Sequence, residues 1–523
     1  MQKLIALLRK VDDNLMKILL VGFIFLIPLY PKFPLIGLNY TYIAVRVEDF
    51  YMALMCVVYL IQLLRRKVNL DRRFILLFCL FWIAIFASFI SGAFIQKVIP
   101  HQLYQVAFLN AARRFEYMIV FFMAISAIRS RSDFFFYLRM VYVVFGIVVV
   151  YGIGQKFLGF PAVQTMNPEY AKGYLLFLTP EARVSSTFAG HYDLAAYLIL
   201  VMPIILGSYF VSYSKWLFLI FNLGLYTLVL TAGRAAYGAY IVSTGPFLLL
   251  MKKYKYLIYV IIVTLVLTYL TSNLVTRIKR TFVTSTVFVN KNTGAAIIPR
   301  EIGSLELPPG DVRFNNRQNT GATVDPKVAL AQLPEAKQKE VMMQILTEIR
   351  LDASKSGRIL TKQEETSLVA AKLSELSVVT STVTDISFAT RLQVEWPRAI
   401  KAFITNPFLG TGPSSITEAT DGDYFRWLGE FGLLGTSLFL LILGKIAWVI
   451  FSALKKLKDN LKVLYWGFLF GMIGLMMNAT LLDVFEASKV AFTFWMIAGL
   501  FIGSTQYLAG NKNEVSKPAN HKK

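Results

Sequence analysis

The sequence predicts an all-α integral membrane protein of about twelve transmembrane helices, with one large extracytoplasmic insertion between the ninth and tenth. Three observations predict it. Of 523 residues, 56% are hydrophobic and 16% are charged, against about 25% charged in a soluble domain. The apolar residues are gathered into long runs, as bilayer-crossing helices require. Lysine and arginine concentrate in alternate stretches between those runs.

The runs fall near 15–31, 49–64, 74–95, 114–128, 133–155, 189–212, 216–232, 235–251, 256–275, 427–453, 463–484 and 488–508. Most approach the roughly 20 residues that cross a ~30 Å hydrocarbon layer. The run at 114–128 is the weakest, being short with Arg113 and Arg114 crowding its start. No small-residue cleavage site follows MQKLIALLRKVDDN, so the first run reads as an uncleaved span rather than a signal peptide.

Orientation follows from the basic residues. One set of loops carries Arg65, Arg66, Lys67, Arg72 and Arg73, then Lys252, Lys253 and Lys255, then Lys455, Lys456, Lys458 and Lys462. The C-terminal tail adds Lys512, Lys517, Lys522 and Lys523. The opposite short loops hold far fewer, such as Lys32, Arg46 and Lys97. Both termini are therefore expected in the cytoplasm, which requires an even number of spans. The domain reading has helices 1–9 over 1–275 with an outer loop at 156–188. An extracytoplasmic segment follows at 276–426, then helices 10–12 over 427–508 and a basic tail at 509–523. Within the segment an insertion spans about 282–380. Its first part, 282–325, is rich in Gly, Pro, Asn and Thr and reads as irregular. The apolar spacing of 326–353 and 360–379 predicts a helical hairpin.

The net charge of +23 is compatible with a nucleic-acid partner, but its distribution fits membrane topology better. Cys56 and Cys79 both lie in apolar runs, which excludes a disulfide framework or zinc site in the polar loops. His101, His191 and His521 share no metal-ligand spacing. The glycines of LGTGPSS (409–415) lack the lysine and spacing of a phosphate loop and read as a turn. No metal and no cofactor are expected.

Three arginines fall on or near the outer face: Arg183, Arg234 and Arg391. Arg234 stands between two apolar runs with almost no loop. A charge at bilayer depth costs at least ~2.5 kcal/mol, so such residues face a cavity or a partner. A guanidinium suits bidentate binding of phosphate; the alternative is snorkelling to headgroups. A second cluster lies in DGDYFRWLGEFGLLG (421–435). On a helix Asp423, Arg426 and Glu430 share one face, while Asp421 falls beside Tyr424. Such acids could act as a general base or orient an acceptor. They could equally mark a helix start and pair with Arg426. His191 opens a span near Arg183 and reads as a cap-region position rather than a catalyst.

Four stretches, taken in order, resemble the O-antigen ligase and polymerase superfamily of integral-membrane C-class glycosyltransferases. They are RVSSTFAGHYDLAAYLILVMP (183–203), TAGRAAYGAYI (231–241), RLQVEWPRAIKAFITNPFLGTGPSS (391–415) and DGDYFRWLGEFGLLG. Ligases of the superfamily usually carry His-Asn where this chain has Asp421–Gly422, so the resemblance implies the polymerase branch. It implies an undecaprenyl-pyrophosphate-linked oligosaccharide donor, a glycan acceptor, and inverting transfer without metal. Asp421, Arg234 and Arg183 would be catalytic. Arg391, Asp423, Glu430, Arg426, Tyr424 and His191 would bind substrate. Implied surroundings are the bacterial inner membrane, with the active face outside the cytoplasm. A chain-length regulator or other polysaccharide-assembly protein would be a partner, and nucleic acid would not. Rival readings are a ligase delivering glycan to lipid A or protein, a lipid-linked-sugar transporter, and a docking scaffold.

Overall fold

The computed structural model describes residues 2–37, 44–68, 70–165, 170–179, 182–271, 283–290, 296–297, 330–331, 335–355, 360–374, 376–383, 391, 395–416 and 420–508. Two compact units make up the chain: Met1–Arg277 with Glu395–Lys523, and Ile278–Val394.

The first unit is a helical bundle. It begins with α1 (Gln2–Leu29), a short ribbon of β1 (Ile36–Gly37) and β2 (Ala44–Val45), then α2 (Val47–Leu64), α3 (Arg72–Ile90), α4 (Tyr104–Ala127) and α5 (Arg131–Phe157). It continues with α6 (His191–Ser212), α7 (Lys215–Leu230), α8 (Arg234–Leu250) and α9 (Tyr254–Leu270). The second unit supplies β3 (Val283–Asn290), β4 (Ala296–Ile297), α10 (Glu335–Lys355), α11 (Lys362–Ser374) and β5 (Leu376–Val383). The chain then returns to the first unit with α12 (Trp396–Thr405), α13 (Asp423–Leu454), α14 (Asp459–Asn478) and α15 (Ser488–Leu508).

Helices occupy each of the apolar runs of the sequence. Among the described residues seven are long and apolar enough to cross a membrane: α2, α3 with its continuation to Ile95, α5, α6, α13, α14 and α15. α7 and α9 are apolar but shorter, at 16 and 17 residues. The run read as beginning at 114 is the latter part of α4, which starts at Tyr104 and spans 24 residues. Ala107 and Ala111 are buried and let α4 pack closely, and Ala107 joins a small cluster with Phe89, Ala93 and Ile99. Arg113 and Arg114 therefore lie inside a helix rather than at its mouth.

Apolar burial drives little association between helices in lipid, so close packing must do it. α15 sits at the centre, wholly buried over its apolar window. Two Gly-x-x-x-Gly pairs allow the tight approaches. Added Cβ atoms on Gly467 and Gly471 of α14 would strike the Pro203 and Leu200 carbonyls of α6 at 2.5 and 2.3 Å. On Gly499 of α15 one would meet the Phe121 carbonyl of α4 at 2.4 Å. Aromatic rings fill the remainder: Phe78 stacks on Phe121 at 5.1 Å and Phe468 on Phe501 at 4.6 Å.

α13 is broken at Gly432, whose φ of 60° and ψ of −163° suit only glycine. The freed backbone groups are taken up by the segment after α12. Leu433 N donates to Pro407 O at 2.8 Å and Leu434 N to Phe408 O at 3.1 Å. Thr411 N donates to Gly429 O at 3.0 Å and Gly412 N to Glu430 O at 2.9 Å. Ser88 of α3 adds a hydroxyl bond to Glu430 O at 2.6 Å. LGTGPSS is thus a turn, but one threaded into the bundle. Irregular backbone at this depth is tolerated only where protein satisfies it.

In the second unit α10 and α11 form a hairpin that buries Val341, Ile345 and Ile349 against Val369 and Leu373. Arg350 and Glu365 pair across it at 2.7 Å. The helical reading through residue 379 stops earlier, because LSVVTSTV is rich in β-branched residues that suit a strand. That strand, β5, pairs antiparallel with β3, which also carries β4. Regular strands therefore occupy part of the stretch read as irregular; 298–329 lies outside the described residues.

Candidate functional site

Charged residues are buried at one end of the first unit, where α1, α7 and α14 finish and α2, α6, α8, α13 and α15 begin. Three neighbouring groups make up this end.

The first lies between α6, α7 and α8. The Arg183 guanidinium meets His191 Nε2 and approaches the Tyr192 hydroxyl at 3.4 Å. Gln155 of α5 holds the following turn, accepting from Ser186 N at 2.7 Å and donating to Ser186 O at 2.8 Å. Val184 N reaches the Leu230 carbonyl at the end of α7. The chain then turns through Ala232, with φ of 49°, and Gly233 before Arg234 opens α8. Arg183 and Arg234 therefore share one corner, and both are half-buried.

The second group ties α15 to its neighbours. Lys489 is buried and donates to three backbone carbonyls: Pro28 at 3.1 Å, Tyr30 at 2.7 Å and Thr187 at 2.7 Å. An ammonium has three protons, so these carbonyls saturate it and its role is to hold. Lys32 donates to Ser488 Oγ at 2.6 Å, and Ser488 to Glu48 at 3.4 Å. Burial, helped by the Arg46 charge, pulls Lys32 down to about 8. Arg46 stands 4.0 Å from Glu48.

The third group is the largest. Arg114 of α4 bonds Glu486 at 2.7 Å and pairs with Glu430 at 3.4 Å. Its guanidinium lies over the Phe431 ring at 4.8 Å. Trp427 Nε1 also donates to Glu486, at 3.2 Å. Arg426 bonds Asp483 at 2.5 Å and pairs with Glu430 at 3.5 Å. Glu430 is fully buried and accepts from Ser414 N at 3.0 Å. Asp423, also fully buried, accepts from Val484 N at 2.9 Å and Phe485 N at 3.0 Å. This clasp fixes the 479–487 loop against the start of α13. Asp423 N donates to Ala479 O at 3.0 Å, completing it. Two arginines thus pair with three carboxylates, Glu430, Asp483 and Glu486, while backbone amides hold the fourth, Asp423.

The sites expected from the sequence divide accordingly. Asp423, Arg426 and Glu430 share one buried face of α13. Tyr424 turns elsewhere, donating its hydroxyl to Met476 O at 2.9 Å. Asp421 precedes α13 and is half-buried. Its amide donates to Glu395 at 2.9 Å, and its carbonyl accepts from Trp396 Nε1 at 3.1 Å. Arg391 is buried and belongs to the second unit.

Sequence reasoning missed Arg114, Asp483, Glu486 and Lys489. The signal was present: an arginine inside an apolar run, and two acids with a lysine in the short link LLDVFEASKV. Charges so placed face partners rather than lipid. Asp483 and Glu486 lie outside the spans and differ in proton affinity. Burial pushes Asp483 up to about 7; Arg426 opposes this, while Asp421 and Glu486 add to it. Burial also acts on Glu486, but Arg114 and Arg426 outweigh it and hold the group below the usual carboxylate range.

Fold and site together define a helical membrane-embedded protein with a charged network enclosed at one end of its bundle. No family model matches the chain, and no curated protein matches it.

Proposed function

We propose that the chain is a polymerase joining undecaprenyl-pyrophosphate-linked oligosaccharide repeat units on the outer leaflet, with all twelve helices crossing the membrane. One observation carries this reading: the charged end divides into a cationic corner and a carboxylate-rich corner. Arg183 and Arg234 form the first, beside His191. Asp421, Asp483 and Glu486, with their arginines, form the second. Transfer of a glycan from a diphosphate needs both. The leaving diphosphate needs positive charge. The acceptor hydroxyl needs carboxylates to orient it and to take its proton, and the second corner holds them, Asp421 among them. The direct test incubates the purified protein with undecaprenyl-pyrophosphate oligosaccharide. Longer lipid-linked glycan supports a polymerase, and delivery to lipid A or protein a ligase.

The break in α13 favours a second reading, a transporter of lipid-linked sugar, because interrupted helices line the substrate sites of such proteins. Movement of the same lipid across vesicles without any product would establish it.

Arg234→Ala is expected to lower extension by at least about 100-fold, the scale on which one charge-stabilising donor acts. The amount of protein in the membrane fraction should not change. Polymer at the normal level in that variant would remove Arg234 from the reaction.

A further inference from the structure

We propose that Asp483 receives the proton of the attacking hydroxyl, with Asp421 orienting that hydroxyl beside it; this rests on the glycan-transfer reading above. Asp483 lies on the link between α14 and α15, and its side chain is 18% exposed. Asp423 and Glu430, by contrast, are closed off entirely. Glu486 on the same link is 15% exposed, but its Oε1 already accepts from Arg114 and Trp427, which leaves Asp483 as the carboxylate at the rim with an oxygen to spare. Its Oδ2 is held by Arg426 at 2.5 Å, which fixes the direction of the group. Its Oδ1 has no hydrogen-bond donor among the described residues, and neither does Oδ1 of the fully buried Asp423 behind it. A carboxylate oxygen without a donor has room to accept one, and on the part-exposed Asp483 a sugar hydroxyl is such a donor.

The frame around Asp483 is rigid. The Val484 and Phe485 amides are bound by Asp423, and Asp423 N is bound to Ala479. Asp421 belongs to the same stitched segment, and its charge acts on Asp483. Around Asp483 the charged groups are Asp421, Asp423, Arg426 and Glu430 at the start of α13, and Glu486 on its own link. Arg114 reaches in from α4 through Glu486, and Glu395 at the head of α12 holds the Asp421 amide.

As the acceptor oxygen bonds to the anomeric carbon, its proton passes to Asp483. The bond from that carbon to the diphosphate oxygen breaks, and its electron pair leaves on the diphosphate. A base is most effective when its proton affinity lies near the working pH. Asp483, raised to about 7, fits that need. The rate of extension should accordingly fall as pH drops below about 7, where Asp483 becomes protonated.

The test measures extension against pH for the full-length protein, Asp483→Asn, Asp483→Glu and Asp421→Asn. The substrate is undecaprenyl-pyrophosphate oligosaccharide extracted from the producing cell. Asp483→Asn should lower kcat by at least about 100-fold, the low end for a general base. Donor binding should be retained and the acidic limb lost. Asp421→Asn should raise KM for the acceptor and keep that limb. If Asp483→Asn does not fold, Asp483→Glu decides instead: it should fold, run more slowly and move the limb. An unchanged rate and limb in whichever variant folds overturns the assignment while leaving the polymerase reading intact. Absence of product from the wild-type protein overturns both.

Discussion

Arg426→Ala is expected to destabilise the protein by about 3–5 kcal/mol, the usual consequence of removing one partner from a buried ion pair. The residue is buried and serves two carboxylates, Asp483 at 2.5 Å and Glu430 at 3.5 Å. Glu430 has no exposure through which water could replace the lost charge. Arg114, at 3.4 Å from Glu430, is already bonded to Glu486. Thermal unfolding in detergent should therefore show a clear drop in midpoint. Replacing both partners by apolar residues of similar volume is often nearly neutral. Arg426→Met with Glu430→Met should thus recover part of the loss. A single Arg426→Ala variant that melts with the wild type would show that the network contributes nothing to holding α13 in place.

The second large effect is expected at the break in α13. Gly432→Ala forces a side chain into a backbone conformation that only glycine adopts readily, at about 1–3 kcal/mol. The added Cβ would also lie 2.5 Å from the Phe408 carbonyl carbon and oxygen. Overpacking of that kind costs about another 1–3 kcal/mol. Gly444, on the same helix, has nothing within 4 Å of an added Cβ. Gly444→Ala should accordingly stay within about 1 kcal/mol of wild type, on the stabilising side, because alanine favours a helix interior over glycine. Thermal melts of the two variants side by side separate the local break from general helix propensity. Equal midpoints would mean that the 407–412 segment is not bound where the structure places it.

The legibility of this chain differs between backbone and site. The apolar runs marked where helices form, because a run of apolar side chains long enough to cross a bilayer is written in consecutive residues. The face shared by Asp423, Arg426 and Glu430 was also legible, since helical spacing alone sets it. So was the pairing of Arg426 with Glu430 one turn on, but the partners brought from elsewhere in the chain were not. Arg426 meets Asp483, 57 residues away, and Arg114 meets Glu430, 316 residues away. Nothing local distinguishes such a pair from two charges that never meet. The start of α4 was misplaced for a related reason: Arg113 and Arg114 look like a boundary until the neighbours that bury Arg114 are known. LGTGPSS was readable as a turn, but not as the segment that caps a broken helix.

By itself, the sequence determined that this is a helical membrane-embedded protein, which apolar runs are helical, and that charges gather between particular runs. Those properties depend on composition and on spacing within a few turns. Only the tertiary structure decided which charges are enclosed together, that Lys489 is saturated by three carbonyls, and that Asp483 rather than Asp423 faces outward. Burying a charge is tolerated only where partners from distant parts of the chain converge on it, and that convergence is a property of packing that no single stretch of residues contains.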